Sequence, residues 1–251
     1  MGWEGWVEVG REYMKKAREA GEWKSVLYAL AHTLQMATGE EERLVARTEE
    51  VAGGAPEEAR RRCPLDPKLF EGYKLQNRRT YARAVCDKAE RWEKIREVCG
   101  RCKREGDREE TVRWARETLR EMKRRGEDVV GLGWKGIDML LLDCGCETPV
   151  VDRHLARHLA RVSPEARRVL GDPETDEELR KSLYDVQRDD RPDDYDKLRS
   201  IAEDLARREG IPPGVWHVAV WMREHFKSLY PDRPEEKLQE MAKSYVERIF
   251  R

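Results

Sequence analysis

No stretch of this sequence carries the roughly 18 consecutive apolar residues of a membrane-spanning helix, so no membrane association is expected. The first residues, M-G-W-E-G-W, lack the basic start and apolar stretch of a secretory signal, and a cytoplasmic, intracellular location is expected. No segment reads as a strand, and no internal repeat or low-complexity tract is present, which excludes β-rich and solenoid architectures. Charge of one sign is also missing. Fifty Lys and Arg stand against 51 Asp and Glu, a net charge of −1. Such a chain does not attract nucleic acid as a whole, and any basic face must come from local asymmetry. Apolar residues are lean, 39% against 40% charged, with a mean hydropathy of −0.90. Disorder is the first reading of such polarity, but the many Trp, Leu and Val at helical spacing argue against it. Arg and Glu spread over a helical pattern read instead as ion-pair-rich surfaces of the thermophile kind.

What is present is helix. The 251 residues suit one large or two small domains. An amphipathic helix is predicted over residues 3–20, then an almost wholly apolar one from Trp23 to Met36, then a charged one from Glu40 to Val51. Tyr81, Val85, Ala89, Trp92 and Ile95 fit one long helix opened by a basic turn. In that turn Arg78, Arg79 and Arg83 face either phosphate or water. A polar break at 101–107 precedes a helix over Thr111 to Arg125. Residues 187–196, Q-R-D-D-R-P-D-D-Y-D, read as an acidic surface loop. Further helices follow Asp152 and Ser163, and run around Leu198 to Leu205, from Val215 to Leu229, and after Pro234.

The stretch of greatest chemical interest runs from Val129 to Leu159. Gly131-Leu132-Gly133 is a tight glycine turn, whose residues tolerate positive φ and close backbone approach. Exposed N–H groups at such a turn before a helix make a phosphate site. Lys135 sits in the first turn of that helix. There the macrodipole disfavours an ammonium and so favours free amine, the nucleophilic form. Asp152 lies 17 residues on, in P-V-V-D-R-H-L-A-R-H-L, at a position that suits an N-cap.

G-L-G-W-K followed by this spaced Asp resembles the helix-hairpin-helix-Gly-Pro-Asp DNA glycosylase superfamily. The V-V-D-R-H-L-A-R-H-L tail is most similar to its archaeal 8-oxoguanine DNA glycosylase/lyase branches. G-I-P-P-G-V-W-H-V-A-V-W, Gly210 to Trp221, is a second match, and the resemblance covers about Trp23 to Tyr230. It implies an all-α, two-lobed fold with a DNA cleft. One lobe is residues 23–146, ending in the hairpin. The other is 1–22 plus 147–251. It implies a bifunctional N-glycosylase/AP lyase that excises a damaged purine, 8-oxoguanine first, during base excision repair. Lys135 is then the Schiff-base nucleophile. Asp152 is the electrostatic partner of the sugar and the proton acceptor from Lys135. The partner is double-stranded DNA with a damaged base, met by a monomer in the nucleoid. A monofunctional glycosylase for another lesion and a non-catalytic helix-hairpin-helix protein are the alternatives.

On this reading Gly131, Gly133 and Arg153 hold the DNA backbone, whereas Arg157 and Arg161 are not assigned to it. Trp216, His217 and Trp221 are base-pocket candidates, since aromatic rings stack flipped bases. Gln35 either bonds a base or satisfies buried backbone. Trp134 is expected to pack beneath the hairpin. The archaeal branches tend to carry an acid where this chain has His217, which puts 8-oxoguanine itself in doubt. With an ordinary pKa of about 6.5, His217 would switch hydrogen-bonding roles near neutral pH. No cofactor or metal is expected. No cysteine follows Cys146, so the iron–sulfur cluster of some relatives is absent. Cys99-x-x-Cys102 could join Cys144-x-Cys146 in a zinc site, but the second spacing is tight for the usual knuckle and no His is near either pair. Buried thiols or disulfides are therefore expected, as for Cys63 and Cys86. His154 and His158, one turn apart, are read as structural.

Overall fold

The computed structural model describes residues 2–34, 40–124, 133–187 and 191–249. Among these the chain is all-helical, with no strand. The helices are α1 (Trp3–Glu19), α2 (Glu22–Leu34), α3 (Glu41–Ala52), α4 (Pro56–Arg62), α5 (Arg78–Glu90), α6 (Trp92–Glu105) and α7 (Glu109–Arg124). They continue as α8 (Trp134–Asp143), α9 (Arg153–Val162), α10 (Pro164–Val169), α11 (Asp176–Gln187), α12 (Pro192–Arg208), α13 (Pro213–Leu229) and α14 (Glu235–Ile249). No helix is long and apolar enough to cross a membrane. Their starts are written in the sequence. The side chains of Asn77, Asp152 and Ser163 accept from the backbone N–H three residues on. Proline opens α4, α10, α12 and α13, where its missing N–H costs nothing.

Three local readings need correction. The expected long helix from Arg78 is two, because Arg91 (φ −99°, ψ 21°) leaves helical geometry. The turn lets Trp92 meet Trp23 edge-on, with ring centroids 5.5 Å apart. Residues 101–105 of the expected polar break are the last turn of α6, and only Gly106 and Asp107 lie beyond it as a turn. Its charged residues are the outer side of a helix whose inner side buries Cys99 and Cys102. The acidic loop also yields helix: Asp193 and Asp194 lie in the first turn of α12, where the macrodipole favours carboxylates.

Buried side chains form two hydrophobic cores. The larger gathers residues from α1 to α8, α14 and one side of α13. The smaller gathers α9 to α12 with Trp216 and Val220 from α13. The division therefore differs from the expected one. α1 and α14 share a core with the helices of 23–146, because α1 lays Val9, Tyr13 and Met14 against α13 and α14. α13 gives buried side chains to both cores, Val215, Ala219 and Met222 to one and Trp216 and Val220 to the other. A buried polar group also spans them. Arg116 of α7 donates to Asp138 of α8 (2.8 Å) and to Thr148 (2.6 Å), while Arg120 donates to Asp196 of α12 (2.5 Å).

All six cysteines are paired: Cys63–Cys86, Cys99–Cys144 and Cys102–Cys146. The last two tie α6 to the end of α8, and they close nearly the same loop, 45 and 44 residues, so their effects do not add. Each closure alone restricts the unfolded chain by about 3–4 kcal/mol. Reductant should lower the unfolding temperature, and Cys63→Ser with Cys86→Ser should cost about 3 kcal/mol. Urea unfolding checks this; equal stability with six free thiols by mass spectrometry would contradict it.

Candidate active-site cavity

Two helix N-termini and one helix side enclose a cavity of about 390 Å³. That lies within the range of about 300–1,000 Å³ typical of small-ligand sites. α8 brings Lys135 from its first turn. α9 brings Asp152, its N-cap, and Arg153. α13 brings His217 and Trp221, four residues apart on one flank, with Trp221 also packed against the larger core. α1 and α2 close it from behind with Tyr13, Ala31 and His32. Arg180, Tyr184 and Gln187 of α11 also border it.

Asp152 is 7% exposed and fixed: Oδ1 accepts from the Leu155 N–H at 2.8 Å, which leaves its second oxygen for the cavity. Burial holds the half-buried Lys135 amine below its ordinary pKa. The Asp152 charge opposes that shift, and Arg153 adds to it. The two side chains thus feel each other's charge across the cavity. Arg153 is exposed and has no ion-pair partner among the described residues. Arg157 and Arg161 are engaged instead, Arg157 with Asp176 at 2.7 Å and Arg161 with Glu224.

The other expected positions separate. Gly133 caps α8 with φ −67°, ordinary extended backbone, so positive φ is not what a glycine supplies here. A Cβ at Gly133 would meet nothing within 4 Å. Gly131 and Gln35 lie outside the described residues, as do the other residues at 125–132, where the hairpin is expected. Trp134 packs against the smaller core, with the Arg120 guanidinium 4.7 Å and the Lys123 amine 5.0 Å from its ring centre. Trp216 does not line the cavity. It is 1% exposed in the smaller core, edge-on to His158 at 5.6 Å, so its assignment to a base pocket is corrected. α13 is apolar on nearly every side, and the periodicity could not say which side Trp216 takes.

Trp221 borders the cavity, and one face of its indole already lies on His225, nearly parallel at 7° with centroids 5.6 Å apart. His217 is 2% exposed, and its Nδ1 has no hydrogen-bond partner. Burial pulls its pKa down to about 4, so the expected switch near neutral pH is corrected: the ring is neutral there. His225 is likewise pulled down to about 4 by burial. His154 meets His225 edge-on at 5.4 Å, and no three His, Cys, Asp or Glu among the described residues group as a metal site. Sequence reasoning missed His32 and its partner Asp143. The only signal was a lone His inside the apolar run V-L-Y-A-L-A-H. Comparison with protein-family models, curated proteins and solved structures gives no match.

The neutrality of His217 has a direct readout. Its imidazole resonances should stay flat from about pH 8 down to about pH 5.5 and move only toward pH 4, whereas a midpoint near 6.5 would refute it. His217 and His225 also destabilise the fold in acid. The unfolded chain binds protons that the folded chain refuses, so stability contributed by these rings is lost as pH falls from about 6.5 to about 4.

Proposed function

We propose that this chain is a bifunctional DNA N-glycosylase/AP lyase acting on a damaged purine, 8-oxoguanine first, through a two-lobed cleft and a helix-hairpin-helix clamp. The observation that carries the reading is the meeting of Lys135 and Asp152 in one cavity, with the amine's pKa lowered by burial. A flipped nucleotide placed there would meet both reacting groups at once. Asp152 supports positive charge at the sugar as the base departs and takes a proton from the Lys135 amine. The amine attacks C1′ and forms the Schiff base from which the strand is cut. Burial serves this directly, since the free amine is the attacking form.

Trp221 offers the ring against which a base would stack, and His217 a neutral hydrogen-bonding group. At the mouth of the cavity, double-stranded DNA would be held by Arg153 and by the backbone N–H groups at the start of α8, with Gly131 and Gly133 in the segment before it. The proposed protein acts as a monomer, in the cytoplasm at the nucleoid, without cofactor.

Lys135→Gln should bind lesion-bearing duplex while losing strand cleavage and borohydride trapping on abasic DNA. Trapping at the wild-type level would place the nucleophile elsewhere. Gly133→Ala gives an independent test of the clamp. Because a Cβ there finds open space, the variant should keep its unfolding temperature and lose affinity equally for every DNA sequence. Unchanged affinity would remove this turn from the DNA contact.

A further inference from the structure

Behind Lys135 and Asp152 lies a second set of ionisable groups that the proposed reaction does not use. Asp143, fully buried at the end of α8, accepts from the Tyr13 hydroxyl through Oδ1 and pairs with His32 Nδ1 through Oδ2 at 2.8 Å. Both carboxylate oxygens are acceptors, so His32 Nδ1 carries the shared proton. The ring is thereby fixed in orientation and tautomer. Its other nitrogen, Nε2, is buried without a hydrogen-bond partner, on a side chain 6% exposed that lines the cavity. Buried polar atoms are seldom left unpaired, and one at a cavity wall points to a ligand atom as its missing partner.

The charge on that ring is set by what faces it. Tyr13 comes from α1, Tyr28 lies obliquely against the ring at 6.1 Å from α2, the helix of His32 itself, Glu41 opens α3, and Lys135 and Asp143 come from α8. Burial opposes protonation, but Asp143 outweighs it, with help from Glu41, and His32 holds its second proton more tightly than a free imidazole. In the protonated ring Nε2–H is a donor. His217, also on the wall, is neutral. The cavity therefore sets an imidazole that holds its second proton more tightly than a free one beside an imidazole that is neutral, a setting that suits an uncharged ring bearing a carbonyl oxygen better than a cationic one.

We propose that His32, clamped by Asp143 and Tyr13, is a specificity-determining residue whose Nε2–H donates to a carbonyl oxygen of the base. The substrate class is then neutral lactam bases, rings with C=O beside N–H, and cationic alkylated purines are rejected. This rests on the glycosylase reading above.

The test compares single-turnover release of 8-oxoguanine, hypoxanthine and uracil with that of 3-methyladenine, a cation in the nucleoside and without a carbonyl. Each rate is divided by borohydride trapping on preformed abasic DNA. The wild type should release at least one of the carbonyl bases in preference to 3-methyladenine. His32→Phe should lower its release-to-trapping ratio about tenfold, the loss expected for one charge-assisted hydrogen bond, and His32→Gln, which keeps a donor, should recover part of it. Preference for 3-methyladenine, or a ratio unaltered in His32→Phe, overturns the proposal while leaving the lyase reading intact. Absence of wild-type trapping overturns both. Nitrogen NMR of the wild-type imidazole keeps the proposal falsifiable should the variants misfold. Two protonated nitrogens near neutral pH support it, and a neutral His32 refutes it.

Discussion

One carboxylate fixes the geometry on which the cavity depends. Glu147 lies in the link between α8 and α9, the two helices that carry Lys135 and Asp152. Its Oε2 accepts from the N–H groups of Gly214 (2.9 Å) and Val215 (3.2 Å) at the start of α13, and its Oε1 accepts from Arg18 of α1 at 2.8 Å. The first-turn N–H groups of α13 would otherwise be orphans in the interior. The fit leaves no room for a side chain: a Cβ at Gly214 would lie 2.7 Å from Glu147 Oε2, and one at Gly10 of α1 would lie 2.3 Å from the Val215 carbonyl oxygen. Burial raises the pKa of Glu147, against the pull of Arg18 and the α13 N–H groups. Its charged form is therefore held by named partners, and losing any of them would leave a buried charge poorly compensated. Through this contact the N-termini of α8 and α9 keep a constant relation to the flank of α13 that bears His217 and Trp221.

Within that frame, burial and neighbouring charge divide the cavity into groups with different proton affinities. Lys135 and His217 are both pulled down by burial, which the Asp152 carboxylate opposes in each case. His32 is subject to the same burial but sits against Asp143 with a direct hydrogen bond, and its affinity rises. The difference between the two histidines is thus one hydrogen-bonded carboxylate. Such divergence among groups sharing a cavity is common at functional sites, because acid–base roles require unlike protonation states side by side. It also occurs in purely structural ion-pair networks. The Arg116–Asp138 pair, on the opposite side of α8, is that kind: it ties helices together and borders no part of the cavity.

How much of this was legible in the sequence depended on the range of the interactions. Caps are local, so Asp152, Ser163 and Asn77 could be read as helix starts from a few residues each. The all-helical character followed from spacing alone. Side-chain direction on α13 was only half legible. Spacing put His217 and Trp221 on one flank, but a helix apolar all round gives no sign of which residues face which core, and Trp216 went the wrong way. The turn at Arg91 was hidden for a similar reason: an unbroken apolar stripe runs through it, and the cause is a distant ring, Trp23. The pairing of Cys99 with Cys144 and Cys102 with Cys146 depends on how α6 crosses α8. Spacing within each pair cannot report that. His32 and Asp143 are 111 residues apart, and neither belongs to a motif.

The near-zero net charge of the chain then bears on how DNA would be met under the proposed function. With acids and bases almost equal in number, most surface arginines are already occupied, as Arg157, Arg161, Arg180 and Arg207 are by neighbouring carboxylates. A phosphate competing for those would have to displace an existing partner. Among the described arginines without an ion pair, Arg153 stands at the mouth of the cavity, beside the N-terminus of α8, where Gly133 offers no capping side chain. An N-terminus left uncapped keeps its N–H groups and its positive dipole end for an outside anion. Asp152 does the reverse at α9, satisfying that N-terminus internally and keeping a carboxylate beside the amine. Under the proposed function the two adjacent helix starts would divide the work, one presenting positive charge toward the DNA backbone and the other negative charge toward the sugar.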